Sequence, residues 1–298
     1  MKRIYIALDW KCATPERIAA DKLGHTEQRM LMLTRHLLAA GYDVVAEPTP
    51  EPNDFDIAVH SNGFQPGLNA RKHIVWAGSW HFDPNEHPYD RIMFVSDFMR
   101  EKFQRPDADV VPACYDDTLF QPNGRHYVPF RIVSTSNPNR YHEHAREICG
   151  RLMRSNVPFE WHYCGGNKLY GDEFWECFSP GEQRRMVYQG ILSQAEVVAM
   201  LQTAHVWAYP NFTDGSETFC AAAVEAVAVG IPVIVPKRQP FLDVLGKCAI
   251  YAENAGEFAK AVHKVFFSNN RPRYDVTRYS SAIVLQRVVE IIEEVCSE

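Results

Sequence analysis

The sequence predicts two α/β domains, each built on a parallel sheet, facing a common cleft. Three observations carry that prediction. Apolar runs of strand length alternate with helical patterns along most of the chain. The alternation is interrupted at Thr118–Gly124, where Pro122, Asn123 and Gly124 read as a connector. The length, 298 residues, suggests two cores at roughly 100–200 residues per domain. The predicted organisation is residues 1–122, residues 123–278, and a terminal helix over residues 279–298 that packs back on the first domain.

In the first half, strands are predicted at Arg3–Leu8, Tyr42–Ala46, Asp56–His60, His73–Ala77, Arg91–Val95 and Asp109–Pro112. Between the first two, Glu27–Ala40 places Met30, Leu31, Leu33, Leu37 and Leu38 at helical spacing, and Gly41 ends the helix. Ser96 is an N-cap for a short helix from Asp97 to Phe103. The second series has strands at Phe130–Ser134, Glu160–Tyr163, Val187–Tyr188, Val206–Tyr209, Ile231–Val235 and Ala249–Tyr251. Its helices are His142–Ser155, Gln194–Thr203, Thr218–Val229 and Ala255–Phe267. Strands separated by helices must run parallel, with helices covering both faces of the sheet. Ligands of such sheets lie beyond the carboxyl ends of the strands, often at helix N-termini.

Composition removes several classes. Thirty-one Lys and Arg against thirty-seven Asp and Glu give a net charge of −6, which exerts no general pull on nucleic acid. The longest apolar runs fall well short of the ~18–20 residues a bilayer span needs. The opening strand, Arg3–Leu8 before Asp9, does not read as a secretory signal, so a cytoplasmic setting is expected. Eight cysteines are scattered without a C-x-x-C pair, which points to reduced, buried thiols. G-x-G-x-x-G, G-x-x-x-x-G-K-[ST] and G-x-S-x-G are all missing, so dehydrogenase, P-loop and serine hydrolase readings lack their motifs.

The most informative stretch runs from Asp214 to Val235 as loop, helix, tight stop and buried strand. Small residues, Cys220 to Ala223, open the helix and leave its terminal N–H groups reachable. Glu225 is a carboxylate in an otherwise apolar helix, where burial demands a partner or an upward pKa shift. Glu217 and Glu225 stand eight residues apart, about 12 Å along a helix. That span suits one carboxylate on sugar hydroxyls and the other on a ribose, with a diphosphate at the helix tip between them. The spacing is equally compatible with a structural Glu225 bonded to backbone and a Glu217 that merely caps.

This segment resembles the E-x7-E signature of retaining glycosyltransferases with the GT-B fold, glycosyltransferase family 4 in particular. The family pattern E-x-F-(G/C)-x-x-x-x-E-A-x-A-x-G-x-P-V-(I/V) is met from Glu217 to Ile234, after Val206-Trp207-Ala208-Tyr209-Pro210. The resemblance implies that Glu217 positions sugar hydroxyls and Glu225 holds the ribose. The backbone of Thr218, Phe219, Cys220 and Ala221 would then face the diphosphate. Arg131–Arg140 is similar to the opening strand and loop of the family's second domain, which brings Asn137 and Arg140 to the phosphates. Tyr141 stands where the family has a glycine, and Lys168 is a candidate second cation or else a solvated surface lysine. Trp161–Gly166 fits the following strand and its turn at Gly165, and Tyr188–Ser193, with Gly190 and Ile191, fits the base-reading loop. In the first domain, Gly24-His25-Thr26-Glu27 resembles the G-G-x-E loop on the acceptor side, with His25 replacing a glycine. His81 in Trp80-His81-Phe82-Asp83 resembles the histidine beside the donor sugar.

The resemblance therefore implies a GT-B fold: two Rossmann-like domains and a C-terminal helix crossing back to the first. It also implies a retaining, metal-independent hexosyl- or pentosyltransferase that moves a sugar from a UDP- or GDP-sugar to a hydroxyl acceptor. That acceptor is a glycan, lipid carrier, small molecule, protein or modified nucleic acid, and no cofactor is expected. A nucleotide-sugar epimerase, a sugar phosphorylase and a non-catalytic nucleotide-sugar- or glycan-binding protein are the alternatives. Asp54-Phe55-Asp56 and Asp107-Ala108-Asp109 form D-x-D pairs, but both precede strands, where a metal-binding pair would follow one. His142 and His144 point about 200° apart on a helix, too far round to share an ion.

Overall fold

Hydrophobic runs of four to six residues flanked by turn signals set the frame. A computed structural model describes residues 2–8, 14–47, 54–85, 87–122, 129–155, 157–165, 178–213, 217–268 and 274–298. Two units are resolved by their internal contacts. The first comprises Met1–Asp116, Glu217–Ala221 and Thr277–Glu298, and the second Asp117–Ser216 and Ala222–Val276.

The first unit opens with β1 (Arg3–Ala7), α1 (Pro15–Ala19), α2 (His25–Ala39) and β2 (Asp43–Val45). It continues with β3 (Phe55–Ser61), β4 (Ala70–Ala77), β5 (Arg91–Phe94), α3 (Asp97–Lys102) and β6 (Asp109–Val110). The strands form one sheet in the order β2-β1-β3-β4-β5-β6, all parallel. Ile4 through Ala7 are buried at every position, the signature of a strand covered on both faces. Of the apolar stripe on α2, Met30, Leu33 and Leu37 are buried, together with Met32, while Leu38 is exposed. Ser96 caps α3 by accepting from the Met99 N–H, as the sequence predicts.

The second unit contains β7 (Phe130–Ser134), α4 (His142–Arg154), β8 (Phe159–Tyr163), α5 (Pro180–Gln183), β9 (Met186–Tyr188) and α6 (Gln194–Gln202). It then adds β10 (Val206–Ala208), α7 (Ala221–Val229), β11 (Val233–Pro236), α8 (Phe241–Leu245), β12 (Ile250–Ala252) and α9 (Ala255–Ser268). Its sheet is also parallel and six-stranded, in the order β12-β11-β10-β7-β8-β9. Trp161 and Trp207 are fully buried and donate their indole N–H groups to Ser134 Oγ and Thr135 Oγ1, both at 2.9 Å. Burying a tryptophan demands such a partner.

Beyond α9 the chain rejoins the first unit. The Tyr115 N–H donates to Tyr279 O and the Ser281 N–H to Tyr115 O, at 3.0 and 2.9 Å. Helix α10 (Ser281–Ser297) then packs its buried stripe, Val284, Leu285, Val288, Ile291, Ile292 and Val295, against α2, β3 and β4. No helix among the described residues is long and apolar enough to cross a membrane.

Candidate functional site

In the second unit three loops converge at the carboxyl ends of β7, β8 and β9. Gly165 follows β8 with φ +94°, a conformation glycine tolerates and L side chains avoid. Its N–H donates to Gly190 O at 2.9 Å, and a Cβ there would lie 3.5 Å from the Ser136 carbonyl carbon and 3.6 Å from the Asn137 nitrogen. Gly190 is itself at φ +74°. The structure thus brings Asn137, Gly165, Gly190 and the exposed Ile191 together. The Tyr188 hydroxyl closes the group by donating to Gly165 O at 3.1 Å. Arg140 lies exposed at the end of a single 3-10 turn, Pro138–Arg140, just before α4.

Glu225 is buried on α7, at 8% exposure, and burial pushes its carboxyl up to about 8. Its charge is felt at Cys164, the residue before Gly165, whose thiol is raised to about 12 by burial first and Glu225 second. A carboxyl so placed is mostly neutral at physiological pH and gains from any hydroxyl partner brought to it.

Tyr141, where the resembled family has a glycine, is buried beneath the loop after β7. Its hydroxyl donates to Ser136 O at 3.2 Å, and its ring meets Tyr209 edge-on at 5.3 Å. The aromatic ring supports the loop from below. Lys168 lies outside the described residues.

Glu217–Ala221 belongs with the first unit. The predicted helix start at Thr218 is corrected: α7 begins at Ala221, and Thr218–Cys220 is not helical. Cys220 sits at φ +67°, which interrupts a right-handed helix. Glu217 therefore lies outside the helix that carries Glu225, and the distance drawn from helical rise does not apply. Glu217 Oε1 accepts from the Thr218 and Cys220 N–H groups at 3.1 and 3.2 Å. Phe219 is buried edge-on against Tyr279, with centroids 5.3 Å apart. Ala221 opens the helix.

At the carboxyl end of β4 the chain turns through Gly78 and Ser79 to His81. That histidine is exposed, and its N–H donates to Ser79 Oγ at 3.2 Å. Gly24 is the N-cap of α2 and has no capping side chain. The Glu27 carboxylate folds back over it, so that a Cβ on Gly24 would lie 2.6 Å from Glu27 Oε2. The partly buried His25 donates from Nε2 to Cys114 O at 2.9 Å, and lost solvation, then the nearby Arg29, lowers it to about 4. Glu27 is buried too.

Arg29 is a residue the sequence reading missed. At 2% exposure it donates to Trp76 O at 2.6 Å, and its guanidinium lies 4.5 Å from the Trp76 ring centroid. Burial lowers it to about 10, so it remains a cation at neutral pH. Its position one helical turn after His25, beside the apolar stripe, was the available signal. Thr218 was also read only for its backbone, although a hydroxyl beside Glu217 was visible.

Among the described residues no group of three or more His, Cys, Asp or Glu is placed to hold a metal ion. The D-x-D aspartates are engaged locally: Asp54 with Asn69, Asp56 with the Arg3 N–H, Asp107 with Arg105 and Asp109 with Arg91.

Comparison with known proteins bears on this geometry. Several solved structures share the fold over the whole chain. Sucrose-phosphate synthase from Thermosynechococcus elongatus superposes with a TM-score of 0.73 at 13% identity, covering 100% of both chains. AviGT4, a glycosyltransferase involved in avilamycin A biosynthesis, gives 0.68 at 14% identity, over 100% of this chain and 98% of its own. Anabaena HepE in complex with UDP gives 0.63 at 12% identity, over 99% and 100%. The fold is GT-B. More narrowly, residues 181–279, about a third of the chain, match the family model described as "Glycosyl transferases group 1". No curated protein matches the sequence.

Proposed function

We propose that the protein transfers a sugar from a nucleoside-diphosphate sugar to a hydroxyl acceptor, with retention and without a bound metal. The observation that carries this reading is Glu225: a buried carboxyl on the helix that follows Glu217, within the stretch matched by the glycosyltransferase group 1 model. Burial without function is costly for a carboxyl, and ribose hydroxyls would repay it. Structural neighbours solved with UDP, HepE and the pneumococcal O-GlcNAc transferase GtfA among them, support the same donor class.

In this reading Glu225 accepts from the ribose, the Gly190–Ile191 loop reads the base, and Asn137 with Arg140 meets the diphosphate. Lys168 is the candidate second cation there. The backbone at Thr218, Phe219, Cys220 and Ala221 adds donors to the phosphates, and Glu217 accepts from sugar hydroxyls. His81 sits beside the sugar, and Gly24, His25 and Glu27 lie on the acceptor side. The acceptor hydroxyl attacks the anomeric carbon from the face the diphosphate leaves. The anomeric C–O pair departs with the diphosphate, and the acceptor proton passes to a leaving phosphate oxygen.

A cytoplasmic setting and a glycan, lipid-carrier, small-molecule, protein or nucleic-acid acceptor are parts of the same proposal. The decisive measurement is calorimetric titration with UDP, GDP, ADP and their sugars, with and without EDTA. Binding indifferent to EDTA and lost in a folded Glu225→Ala variant is the expected result. Product anomers read by NMR test retention. One observation favours a second reading, a non-catalytic nucleotide-sugar binder: the Glu217 carboxylate is bonded to its own turn. Nucleotide-sugar binding without any turnover by the wild type would select it.

A further inference from the structure

Thr218 has every polar group engaged. Its Oγ1 donates to Gly78 O at 2.7 Å, its carbonyl accepts from Ser96 Oγ at 2.8 Å, and its N–H donates to Glu217 Oε1 at 3.1 Å. All these residues belong to the first unit. Both anchors are themselves fixed. The Gly78 N–H donates to Asn62 Oδ1 at 2.5 Å, and a Cβ at Gly78 would meet Arg29 Nη1 at 3.2 Å and Val95 Cγ1 at 3.3 Å. Ser96 also accepts from the Met99 N–H at 3.3 Å, so its hydroxyl hydrogen is free to point only at Thr218.

The turn at Gly78, packed on the buried Arg29, and the capped start of α3 thus form a rigid seat. The residue immediately before the seated Thr218 is Glu217. Its carboxylate is held by the N–H of Thr218, the residue whose carbonyl and hydroxyl are clamped, and by the Cys220 N–H. A shift of Thr218 therefore carries the carboxylate with it. Misplacement of a reacting group by about 1 Å can cost about 100-fold in rate.

We infer that Thr218 is the positioning residue of Glu217, its clamp on Ser96 and Gly78 setting where that carboxylate stands during transfer. The inference rests on the reading of Glu217 as the donor-sugar carboxylate given above. Thr218→Val keeps the shape and deletes the donor to Gly78; Thr218→Ser keeps the donor.

Two readouts test it on the full chain. The first is kinetic, using whichever of UDP-glucose, GDP-mannose and ADP-glucose the wild type hydrolyses. Thr218→Val lowers kcat by about 10- to 100-fold with KM nearly unchanged, and Thr218→Ser restores it. The second needs no activity: Cys220 is buried beside the clamp at 4% exposure, and its alkylation by iodoacetamide, mapped by mass spectrometry, accelerates in Thr218→Val and not in Thr218→Ser. Should Thr218→Val fail to fold, Ser96→Ala removes one anchor while leaving Thr218 in place, and lowers kcat in the same pattern. Faster alkylation with unchanged kcat makes the clamp purely structural and overturns the inference. So does unchanged kcat with unchanged alkylation. A wild type that binds and turns over none of the three nucleotide sugars defeats the reading of Glu217 itself, whatever the alkylation shows.

Discussion

The two units share a parallel six-stranded sheet, yet burial shifts opposite kinds of ionisable group furthest in them. In the first, His60 is fully buried and pushed down to about 3, by burial and then by His73 and His87. The Gln65 N–H donates to His60 Nδ1 at 3.3 Å, so the ring proton resides on Nε2 and points at His73 Nδ1, 3.0 Å away. A second proton on His60 would face the Gln65 N–H. His25 is lowered to about 4, and His73 is lowered as well. In the second unit the carboxyl that burial shifts is Glu225, raised to about 8. Its lowered histidines, His144 and His162, are only partly desolvated, and Glu160 supports the charged form of His162. The comparison teaches that the first unit keeps its buried histidines neutral, whereas the second holds a carboxyl ready for a partner.

Proton linkage turns this contrast into opposite slopes. Between pH 6.5 and the folded values near 4 and 3, unfolded His25 and His60 bind protons that the folded forms refuse. Stability of the first unit therefore falls as pH drops below 6.5, by several kcal/mol in total, of order 1.4 kcal/mol per pKa unit. Urea unfolding with hydrogen exchange resolved by unit checks it, and His60→Gln flattens the acid limb. An acid limb unchanged in His60→Gln breaks the comparison on that side.

Glu225 works the other way. Between the ordinary carboxyl value of 4.5 and about 8 the folded form holds a proton the unfolded chain has lost. Its contribution to stability is present below pH 4.5 and lost as pH rises through about 8, a few kcal/mol in all. Glu225→Gln abolishes this alkaline loss in unfolding curves. From pH 4.5 to 6.5 the two units then have slopes of opposite sign, which exchange rates resolve directly. If Glu225 meets a ribose as the carboxylate, nucleotide binding also releases protons, measurable by calorimetry in buffers of different ionisation enthalpy.

The smallest effect sharpens the geometry of the second unit. Gly165→Ala and Gly190→Ala each force an L residue to positive φ, at about 1–2 kcal/mol. Only Gly165 adds main-chain contacts, from Ser136 and Asn137, so chemical denaturation should show the larger loss there. Equal losses would mean that the convergence of the loops adds nothing.

Much of the architecture was readable because periodicity is local. The predicted β7, β8 and β10 fall within a residue or two of the observed strands, since buried parallel strands show as continuous apolar runs. Helix α1 was missed although Thr14 followed by Pro15 is a start signal, and Thr14 does accept from the Arg17 N–H. The start of α7 was misread for a different reason. Residues Thr218 to Ala223 have helical composition, and only the partners of Thr218 and the positive φ of Cys220 delay the helix. The coupling of Glu225 to Cys164 had no local trace at all.

By itself the amino-acid order determined the strand and helix alternation, two parallel sheets and the pair of glutamates, because spacing and hydrophobic period act over a few residues. Tertiary structure alone decided that Glu217 goes with the first unit while Glu225 is buried in the second. It also decided which histidines lose their water. Those outcomes depend on hydrogen-bond partners more than a hundred residues away, Ser96 and Gly78 for Thr218, and on desolvation that no local pattern encodes.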